Sequence, residues 1–471
     1  MNEQKFERYV LIAIVVLAVA LRLLFAFSYH EIWWDSGVYV GMGKYLASGG
    51  SAGLWEHIRP PFVPLLLGGL WFVGLDPVIF GRLFEILLMG AVVLLTYLVG
   101  KEWFGSRSAL LASLLIALSP IFFHLSFHQY TEIPSVFFVL LSLFFIQRNH
   151  AVLSGAAVGL AFLAKFPAGL FFVIIAGFCL YLRKWRDAFK VAGGFALLVL
   201  PYLAASAFVY GSPLATLKAG QSAISLALGC NVLRYHPWWY YFVWLLGETK
   251  MHLFALPGVY FLMKSWKQKH VLFAASLIIP LAYFLQLHCR DYRYVTLFLP
   301  FVALLAAFGA ISLLELKWKK WSAFVILLVV CGLWAGNTML NFYEANEVLV
   351  PDPVLEEYLR IADSLNVSGE VWVSHPSIAA HTNRLLEKMY YPIYNEGLAL
   401  DFSTYIKTRT DKIGAVFLDN CGGGIICPPN DSACEAQSSE MIGQLDARFT
   451  RVFDKNSGRC WYRVWVQNVT S

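Results

Sequence analysis

One aspartate stands where it could take a proton from a substrate. Asp35 follows two tryptophans in the segment WWDSGVY, a few residues after a long apolar run ends. A carboxylate flanked by aromatic side chains at the edge of a membrane could serve as a general base. The residues from 36 to 47 have the spacing of a short amphipathic helix, so Asp35 could instead cap the start of that helix. Its position alone leaves both interpretations open.

Isolated cations form a second group of candidates. Arg59, Lys165 and Arg293 each lie near the end of an apolar run. A charge so close to lipid is costly and usually has a partner or a ligand, although a single one could extend its side chain to the lipid headgroups. Several such cations on one side of the membrane favour binding of an anion such as phosphate. Arginine can bind phosphate through two parallel hydrogen bonds, whereas lysine provides a point charge.

An acid and two histidines form a third group. Glu132 begins an apolar helical segment, where it could be a second acid of the site or a helix cap. His124, His128 and Glu132 recur every four residues, so one continuous helix would place them on one face, and two histidines at that spacing can bind a metal ion. No further metal motif accompanies them, and we expect no metal or other cofactor. Tyr39, His57 and His128 are candidates for lining a substrate cavity.

The composition places most of the chain in a membrane. Of the 471 residues, 59% are hydrophobic and 14% are charged, whereas a soluble globular protein has roughly 25% charged residues. So small a charged fraction cannot cover a fully water-exposed surface, which argues against a soluble enzyme. The first apolar run, 10–27, is long enough to span a bilayer, and no small-residue cleavage site follows it. We therefore expect it to remain as the first membrane helix.

Basic residues predict which ends of the helices face the cytoplasm, because Lys and Arg are enriched in cytoplasmic loops. The strongest clusters are 183–190, 264–270 and 317–320. All three clusters can be cytoplasmic only under two conditions. The proline-rich segment 61–75 must lie at the interface without crossing the membrane. The run 152–182 must cross twice, with a break at Lys165-Phe166-Pro167. The prediction for residues 1–342 is a mostly α-helical transmembrane bundle of about eleven spans, with its N-terminus inside and the loop 30–60 outside.

The C-terminal residues 343–471 have ordinary polarity and predict a small extracytoplasmic α/β domain. An amphipathic helix over DPVLEEYLRIADSLN is followed by four strand patterns, VWVSHP, GAVFLDN, FTRVFDK and CWYRVWV. Cys421, Cys427, Cys434 and Cys460 all lie here, which predicts two disulfides with three possible connectivities. A four-cysteine zinc site is the alternative, although the spacing lacks CxxC pairs. The sequons begin at Asn366, Asn430 and Asn468.

Several segments, taken in order, resemble one family of enzymes. They are Asp35-Ser36-Gly37-Val38-Tyr39, Arg59-Pro60-Pro61, Gly81-Arg82-Leu83, LVGKEWFGSRSALLASLLIALSP, Thr131-Glu132, LSGAAVGLAFLAKFPAG and Arg293-Tyr294. In these segments the chain is similar to the GT-C glycosyltransferases that use polyprenyl-phosphate sugars. These are relatives of the dolichyl-phosphate-mannose–protein mannosyltransferases and the bacterial aminoarabinose–lipid A transferases. The resemblance covers residues 10–182 well and the later Arg293 boundary more loosely.

The resemblance implies an inverting transfer of one sugar from a lipid phosphate to an acceptor hydroxyl outside the cytoplasm. It implies that Asp35 is the catalytic base and leaves Glu132 as the candidate second acid, because Ser36 stands where many members have that acid. The cations expected to bind the donor phosphate are Arg59, Arg293 and Lys165. The branch that uses lipid monophosphates is not thought to require a metal. The expected partners are the lipid-linked sugar, a glycan, lipid or protein acceptor, and the bilayer, with no nucleic acid.

A transporter or flippase of lipid-linked sugars, or a non-catalytic protein that binds them, would also need cations near the membrane. Internal repeats and helices broken near the bilayer midplane would favour a transporter. The sequence has no evident repeat, and the candidate charges fall on one predicted side of the membrane. The sequence therefore favours the enzyme.

Overall fold

The protein is described by a computed structural model. It describes residues 3–26, 32–225, 235–287, 289–317, 321–346, 352–365, 367–389, 398–421, 427 and 430–467. Cys230, His288, Asn366 and Asn468 lie outside the described residues. The chain divides into two compact units that are each discontinuous in sequence. The first, here named the helical unit, contains 1–29, 82–215 and 236–347, and the second, the sheet unit, contains 30–81, 216–235 and 348–471.

Apolar helices account for most of the chain before residue 347. They are α1 (Glu3–Phe25), α2 (Trp34–Ala47), α3 (Phe62–Phe72), α4 (Pro77–Phe104), α5 (Ser106–Ala117), α6 (Pro120–Leu125), α7 (Glu132–Gln147), α8 (Ala151–Ala164), α9 (Leu170–Tyr181), α10 (Trp185–Tyr210), α11 (Ala215–Ser225), α12 (Tyr240–Glu248), α13 (Ala255–Lys264), α14 (Lys269–Leu285), α15 (Leu299–Lys317) and α16 (Trp321–Asn346). Among the described residues, five helices are long and apolar enough to cross a membrane, within α1, α4, α10, α15 and α16. The count of about eleven spans stays a prediction.

The chain breaks within the long apolar run, as the sequence predicted. Helix α8 ends at Ala164, Lys165 is extended with φ −152° and ψ 113°, and a short 3-10 helix, Phe166–Gly169, precedes α9. Pro167 has no backbone N–H to continue an α-helix. The proline-rich segment forms the 11-residue helix α3, which at 1.5 Å per residue is about 16 Å long. That length is about half of the hydrocarbon thickness, which agrees with the predicted position at the interface.

A five-stranded mixed sheet forms the centre of the sheet unit. Its strands are β1 (Glu370–Val373), β2 (Leu386–Lys388), β3 (Ile413–Asp419), β4 (Phe449–Ser457) and β5 (Cys460–Gln467), in the spatial order β2-β1-β3-β5-β4. The first three run parallel, and β3, β5 and β4 pair antiparallel. The accompanying helices are α17 (Pro353–Ser364), α18 (Ile378–His381), α19 (Leu398–Arg409) and α20 (Ser432–Arg448). The predicted helix and all four predicted strand patterns are therefore present.

Alternating side chains give the sheet two apolar faces. One face packs Val373 and Phe417 with Tyr358 of α17 and with Val38 and Met42 of α2. The opposite face packs its own set of residues, which includes Ile406, Val416, Met441 and Trp465. Helix α2 therefore covers the same sheet face as α17. The sequence analysis placed residues 30–60 with the transmembrane domain, whereas the structure groups them with the C-terminal sheet, because α2 buries its apolar side against that sheet.

Two disulfides join the four cysteines of the C-terminal part. Cys421 pairs with Cys460 and Cys427 pairs with Cys434, so the predicted disulfides are confirmed and one of the three connectivities is selected. The four-cysteine zinc site is excluded, because all four sulfur atoms are used in these bonds. Cys289 is also disulfide-bonded.

Candidate functional site

Asp35 forms an ion pair in the first turn of α2. Its Oδ1 lies 2.9 Å from Nη2 of Arg59, and the two side chains are 13% and 23% exposed. Nε of Arg59 also donates to Oε2 of Glu56 at 2.7 Å. The N-cap position of α2 is Trp33, so Asp35 lies inside the first turn and is not the cap that the sequence allowed. The carboxylate is therefore paired with a cation and remains partly open to solvent.

Arg59 is shared between two carboxylates and an aromatic ring. Its guanidinium carbon lies 5.6 Å from the ring centre of Tyr39, which is one helical turn after Asp35 and so on the same face of α2. Burial lowers the pKa of Arg59, but the charges of Asp35 and Glu56 outweigh it and hold the pKa well above its ordinary value. The contacts of the two ion pairs include Nη2 to Asp35 and Nε to Glu56. An arginine held by two carboxylates has a fixed position.

His57 lies between these residues in sequence and has a different electrostatic environment. Burial lowers its pKa, the charge of Lys388 lowers it further, and Glu56 acts in the opposite direction. Its environment therefore favours the neutral form of the His57 imidazole. This cluster, named the Asp35 cluster, consists of Asp35, Tyr39, Glu56, His57 and Arg59, and it lies entirely in the sheet unit.

Lys165 and Glu132 form a second, more deeply buried ion pair, in the helical unit. Nζ of Lys165 lies 2.6 Å from Oε1 of Glu132, and the side chains are only 9% and 4% exposed. Glu132 is the first residue of α7, and Lys165 lies at the break after α8. Because Lys165 has extended backbone there, the break places its ammonium group against the start of α7. The ammonium group also lies 5.3 Å from the ring centre of Tyr294.

Arg293 is held by a neighbouring acid that the sequence analysis did not single out. It forms a two-point contact with Asp291, through Nη2 to Oδ2 at 2.8 Å and Nε to Oδ1 at 3.1 Å. Asp291 also caps the 3-10 helix Tyr292–Leu297 by accepting from the backbone N–H of Arg293. The guanidinium lies over Tyr130 at 5.2 Å. With Lys165, Glu132 and Asp291, Arg293 forms what is here named the Lys165 cluster.

The two histidines do not share a continuous helix with Glu132. Helix α6 ends at Leu125, and α7 begins only at Glu132, so His128 lies in the turn between them. The prediction of three residues on one helix face is wrong, because Ser126 to Thr131 leave the helix. The rings of His124 and His128 still lie 5.0 Å apart. Within the part of the chain that the structure describes, no three His, Cys, Asp or Glu side chains come together in a way that could hold a metal ion.

Sequence reasoning missed three charged residues that contact or influence the predicted ones. Glu56 pairs with Arg59, and Asp291 pairs with Arg293. Lys388 interacts electrostatically with Glu56 and Arg59 of the Asp35 cluster. Glu56 and Asp291 could have been found, because each lies within three positions of its cation. Lys388 is more than 300 residues from Arg59 in sequence, and only the folded sheet unit relates the two.

Residues 58–210 match the sequence model of the dolichyl-phosphate-mannose–protein mannosyltransferase family. An uncharacterised protein of Aquifex aeolicus (strain VF5) is 30% identical over 202 residues, which cover 38% of this chain and 39% of that protein. The chain thus matches about two fifths of this relative's length.

The fold is similar to that of solved structures over nearly the whole chain. A crystal structure of ArnT from Cupriavidus metallidurans bound to undecaprenyl phosphate aligns with TM-score 0.66 and 15% identity, covering 97% of this chain and 98% of that one. The Archaeoglobus fulgidus oligosaccharyltransferase, in a complex with zinc and sulfate, aligns with TM-score 0.55 and 15% identity, covering 87% and 68%. The predicted fold class is thereby confirmed, and the sequence match over residues 58–210 agrees with the resemblance found in the sequence.

Proposed function

We propose that this protein transfers a sugar, with inversion, from a polyprenyl-phosphate donor to an acceptor hydroxyl on the extracytoplasmic side of the membrane. The observation that carries the proposal is the Asp35–Arg59 pair. It places a partly exposed carboxylate and an arginine 2.9 Å apart, in a chain whose residues 58–210 match the dolichyl-phosphate-mannose–protein mannosyltransferase family. A base for the acceptor and a cation for the leaving phosphate are the two groups that the reaction needs.

The proposed step has a single displacement. Asp35 takes the proton of the acceptor hydroxyl while the acceptor oxygen attacks the anomeric carbon from the face opposite the phosphate. The bond between that carbon and the phosphate oxygen breaks, and both of its electrons leave with the polyprenyl phosphate. The proton on Asp35 then passes to water. Inversion follows because one displacement on the anomeric carbon exchanges its two faces.

Arg59 has two tasks in this proposal. Its charge favours the ionised form of the Asp35 carboxylate, because an opposite charge within hydrogen-bond distance stabilises the charged form. Its guanidinium group is also suited to a phosphate oxygen of the donor. Arginine is well matched to this pair of tasks, because its planar group offers five N–H donors in fixed directions.

Lys165 and Arg293 are proposed to bind donor phosphate because the family resemblance implies that role. Lys165 and Arg293 each already contact a carboxylate, at 2.6 Å and 2.8 Å. These carboxylates fix the positions of the cations, and a phosphate that carries more charge than a carboxylate could compete for them. Glu132 is accordingly proposed as a partner that positions Lys165, and a second catalytic acid is not required.

The test is transfer from a radiolabelled polyprenyl-phosphate sugar to a panel of glycan, lipid and protein acceptors by the purified full-length protein. We expect transfer with inverted anomeric configuration, and a decrease of about 10²–10⁴-fold in kcat for Asp35→Asn. Asp411→Asn, an acid of the same unit outside the cluster, is the matched control and should leave transfer unchanged. Full activity of Asp35→Asn would overturn the assignment of the base.

The other candidate functions predict different outcomes. A transporter would move the lipid-linked sugar between the leaflets of a vesicle without breaking its phosphate bond, and a non-catalytic protein would bind the donor without turnover. The proposed step includes no metal ion, as the family resemblance implies. Loss of transfer in EDTA, reversed by a divalent cation, would contradict that part of the proposal.

A further inference from the structure

The loop that carries Glu56 and Arg59 is joined to the edge of the C-terminal sheet. The backbone N–H of Gly53 donates to the carbonyl of Arg384 at 2.8 Å, and the N–H of Leu386 donates to the carbonyl of Gly53 at 2.7 Å. Gly53 has φ +80°, and a Cβ there would lie 2.1 Å from the carbonyl oxygen of Gly41. Only glycine fits both conditions. The loop is therefore fixed to β2 three residues before Glu56.

Lys388 lies on the sheet face that faces helix α2. Leu386 packs with Val38, Met42 and Leu54. Because side chains alternate along a strand, Lys388 shares the face of Leu386, while Glu387 points to the other face. Strand β2 is thus the edge strand that presents one basic side chain on the same side as the helix whose first turn holds Asp35.

The pKa of Lys388 also indicates that it lies near the Asp35 cluster. Burial lowers the pKa of Lys388, the negative charge of Glu56 raises it, and the positive charge of Arg59 lowers it. The charge of Lys388 in turn lowers the pKa of His57. Lys388 is therefore close enough to three members of the Asp35 cluster for their charges to act on one another.

The net charge of the cluster suggests what Lys388 does. Asp35 and Glu56 carry two negative charges, whereas Arg59 carries one positive charge, so these three residues together have a net charge of −1. A donor phosphate approaching them would be repelled. One added lysine brings the net charge to zero and provides a counter-charge for Glu56, which then competes less strongly for Arg59.

We propose that Lys388 is a positioning residue of the glycosyl-transfer site. It neutralises Glu56 from the edge of the C-terminal sheet, so that Arg59 remains available to Asp35 and to the donor phosphate. The C-terminal residues thereby contribute to the reaction itself. This inference rests on the proposed function, and its test is designed to separate the two.

The experiment compares Lys388→Gln with Lys388→Arg in the purified full-length protein. Lys455→Gln is the matched control, because Lys455 lies on β4, the opposite edge of the same sheet. For Lys388→Gln we expect the donor KM to rise about tenfold while kcat changes less, since a lost charge contact is worth roughly 1.4 kcal/mol or more. Lys388→Arg should retain most of the affinity for the donor.

The pH–rate profile distinguishes this role from a purely structural one. Loss of a positive charge makes ionisation of the base less favourable, so the acid limb for Lys388→Gln should move to higher pH by roughly half a unit or more. Among the described residues, the charged or titratable groups on the side of the base include Tyr39, Glu56, His57, Arg59 and Lys388, with His375 against the ring of Trp34. The same limb should stay in place for Lys455→Gln.

Binding of polyprenyl phosphate, measured directly, separates failure of this inference from failure of the proposed function. Weaker binding to Lys388→Gln than to wild type, with binding retained by Lys388→Arg, supports the role even if no acceptor is found. Wild-type binding and an unshifted pH profile for Lys388→Gln, in a protein that transfers sugar, would overturn the role of Lys388 alone. Absence of both transfer and donor binding in the wild type would overturn the proposed function as well.

Discussion

The Asp35 cluster and the Lys165 cluster are built from the same kinds of residues but differ in their exposure to solvent. The Asp35–Arg59 pair is 13% and 23% exposed, whereas the Glu132–Lys165 pair is 4% and 9% exposed. Removing one partner of a buried pair leaves an uncompensated charge and costs far more than at a partly exposed pair. The comparison indicates that removing one partner of the Glu132–Lys165 pair is the more destabilising change, while the Asp35–Arg59 pair is accessible for chemistry.

The two pairs are also positioned by different means. Glu132 and Lys165 lie at the start of one helix and at the break after another, so the paths of the helices bring them together. Asp35 and Arg59 belong to a single segment, and that segment is held by a sheet formed more than 300 residues later. Substitutions in the sheet should therefore affect the Asp35 cluster.

The largest expected effect is on stability, in Lys165→Met. This change leaves the buried Glu132 without its cation, which should destabilise the protein by about 3–5 kcal/mol. Denaturation in mixed micelles measures the effect. The double variant Lys165→Met/Glu132→Gln should recover most of the loss, because the unpaired charge is then absent. If Lys165→Met were as stable as the wild type, breaking the buried Glu132–Lys165 pair would not be the costly change that its burial predicts.

The double variant also tests the proposed part of Lys165 in donor binding. A folded double variant whose donor KM is raised about tenfold would support contact between Lys165 and the phosphate. A wild-type KM would limit Lys165 to a structural role.

A smaller effect, on activity, is expected for Arg59→Lys. Lysine keeps the charge but cannot hold Asp35 and Glu56 through two nitrogens at fixed positions. Transfer should fall by roughly tenfold to a hundredfold, which corresponds to one or two lost charge-assisted hydrogen bonds. Steady-state kinetics measures this loss, and stability should change little. Arg451→Lys, an arginine paired with Asp446 in the same unit, is the control and should leave transfer unchanged.

The smallest expected effect is at the contact that holds the start of α2. Ser377 Oγ donates to the carbonyl of Ile32 at 2.7 Å, and Gly37 approaches so closely that a Cβ there would lie 2.5 Å from Cα of Ser377. Ser377→Ala should cost about 0.5–1.5 kcal/mol and slow transfer severalfold, because Asp35 lies just after Ile32. Ser364→Ala, which loses a similar bond to Ile361 within α17, should lower stability without slowing transfer.

Much of the fold could be predicted from local patterns. The break at Lys165 follows from Pro167, and the strand over 413–419 follows from a short apolar run, since both depend on neighbours in sequence. One continuous helix would place His124, His128 and Glu132 on one face, but the structure does not have that helix, because α6 ends at Leu125. A four-residue spacing places side chains on one face only where a single helix runs through all of them.

The sequence by itself determined which residues could do chemistry. Asp35 and Arg59 were identified by residue type and by their place at the ends of apolar runs. Only the tertiary structure decided their surroundings: that Asp35 pairs with Arg59, that Glu56 shares that arginine, and that Lys388 joins them from a strand far along the chain. The reason is physical, because charge interactions depend on distance in space, and no local pattern records which distant segments a sheet brings together.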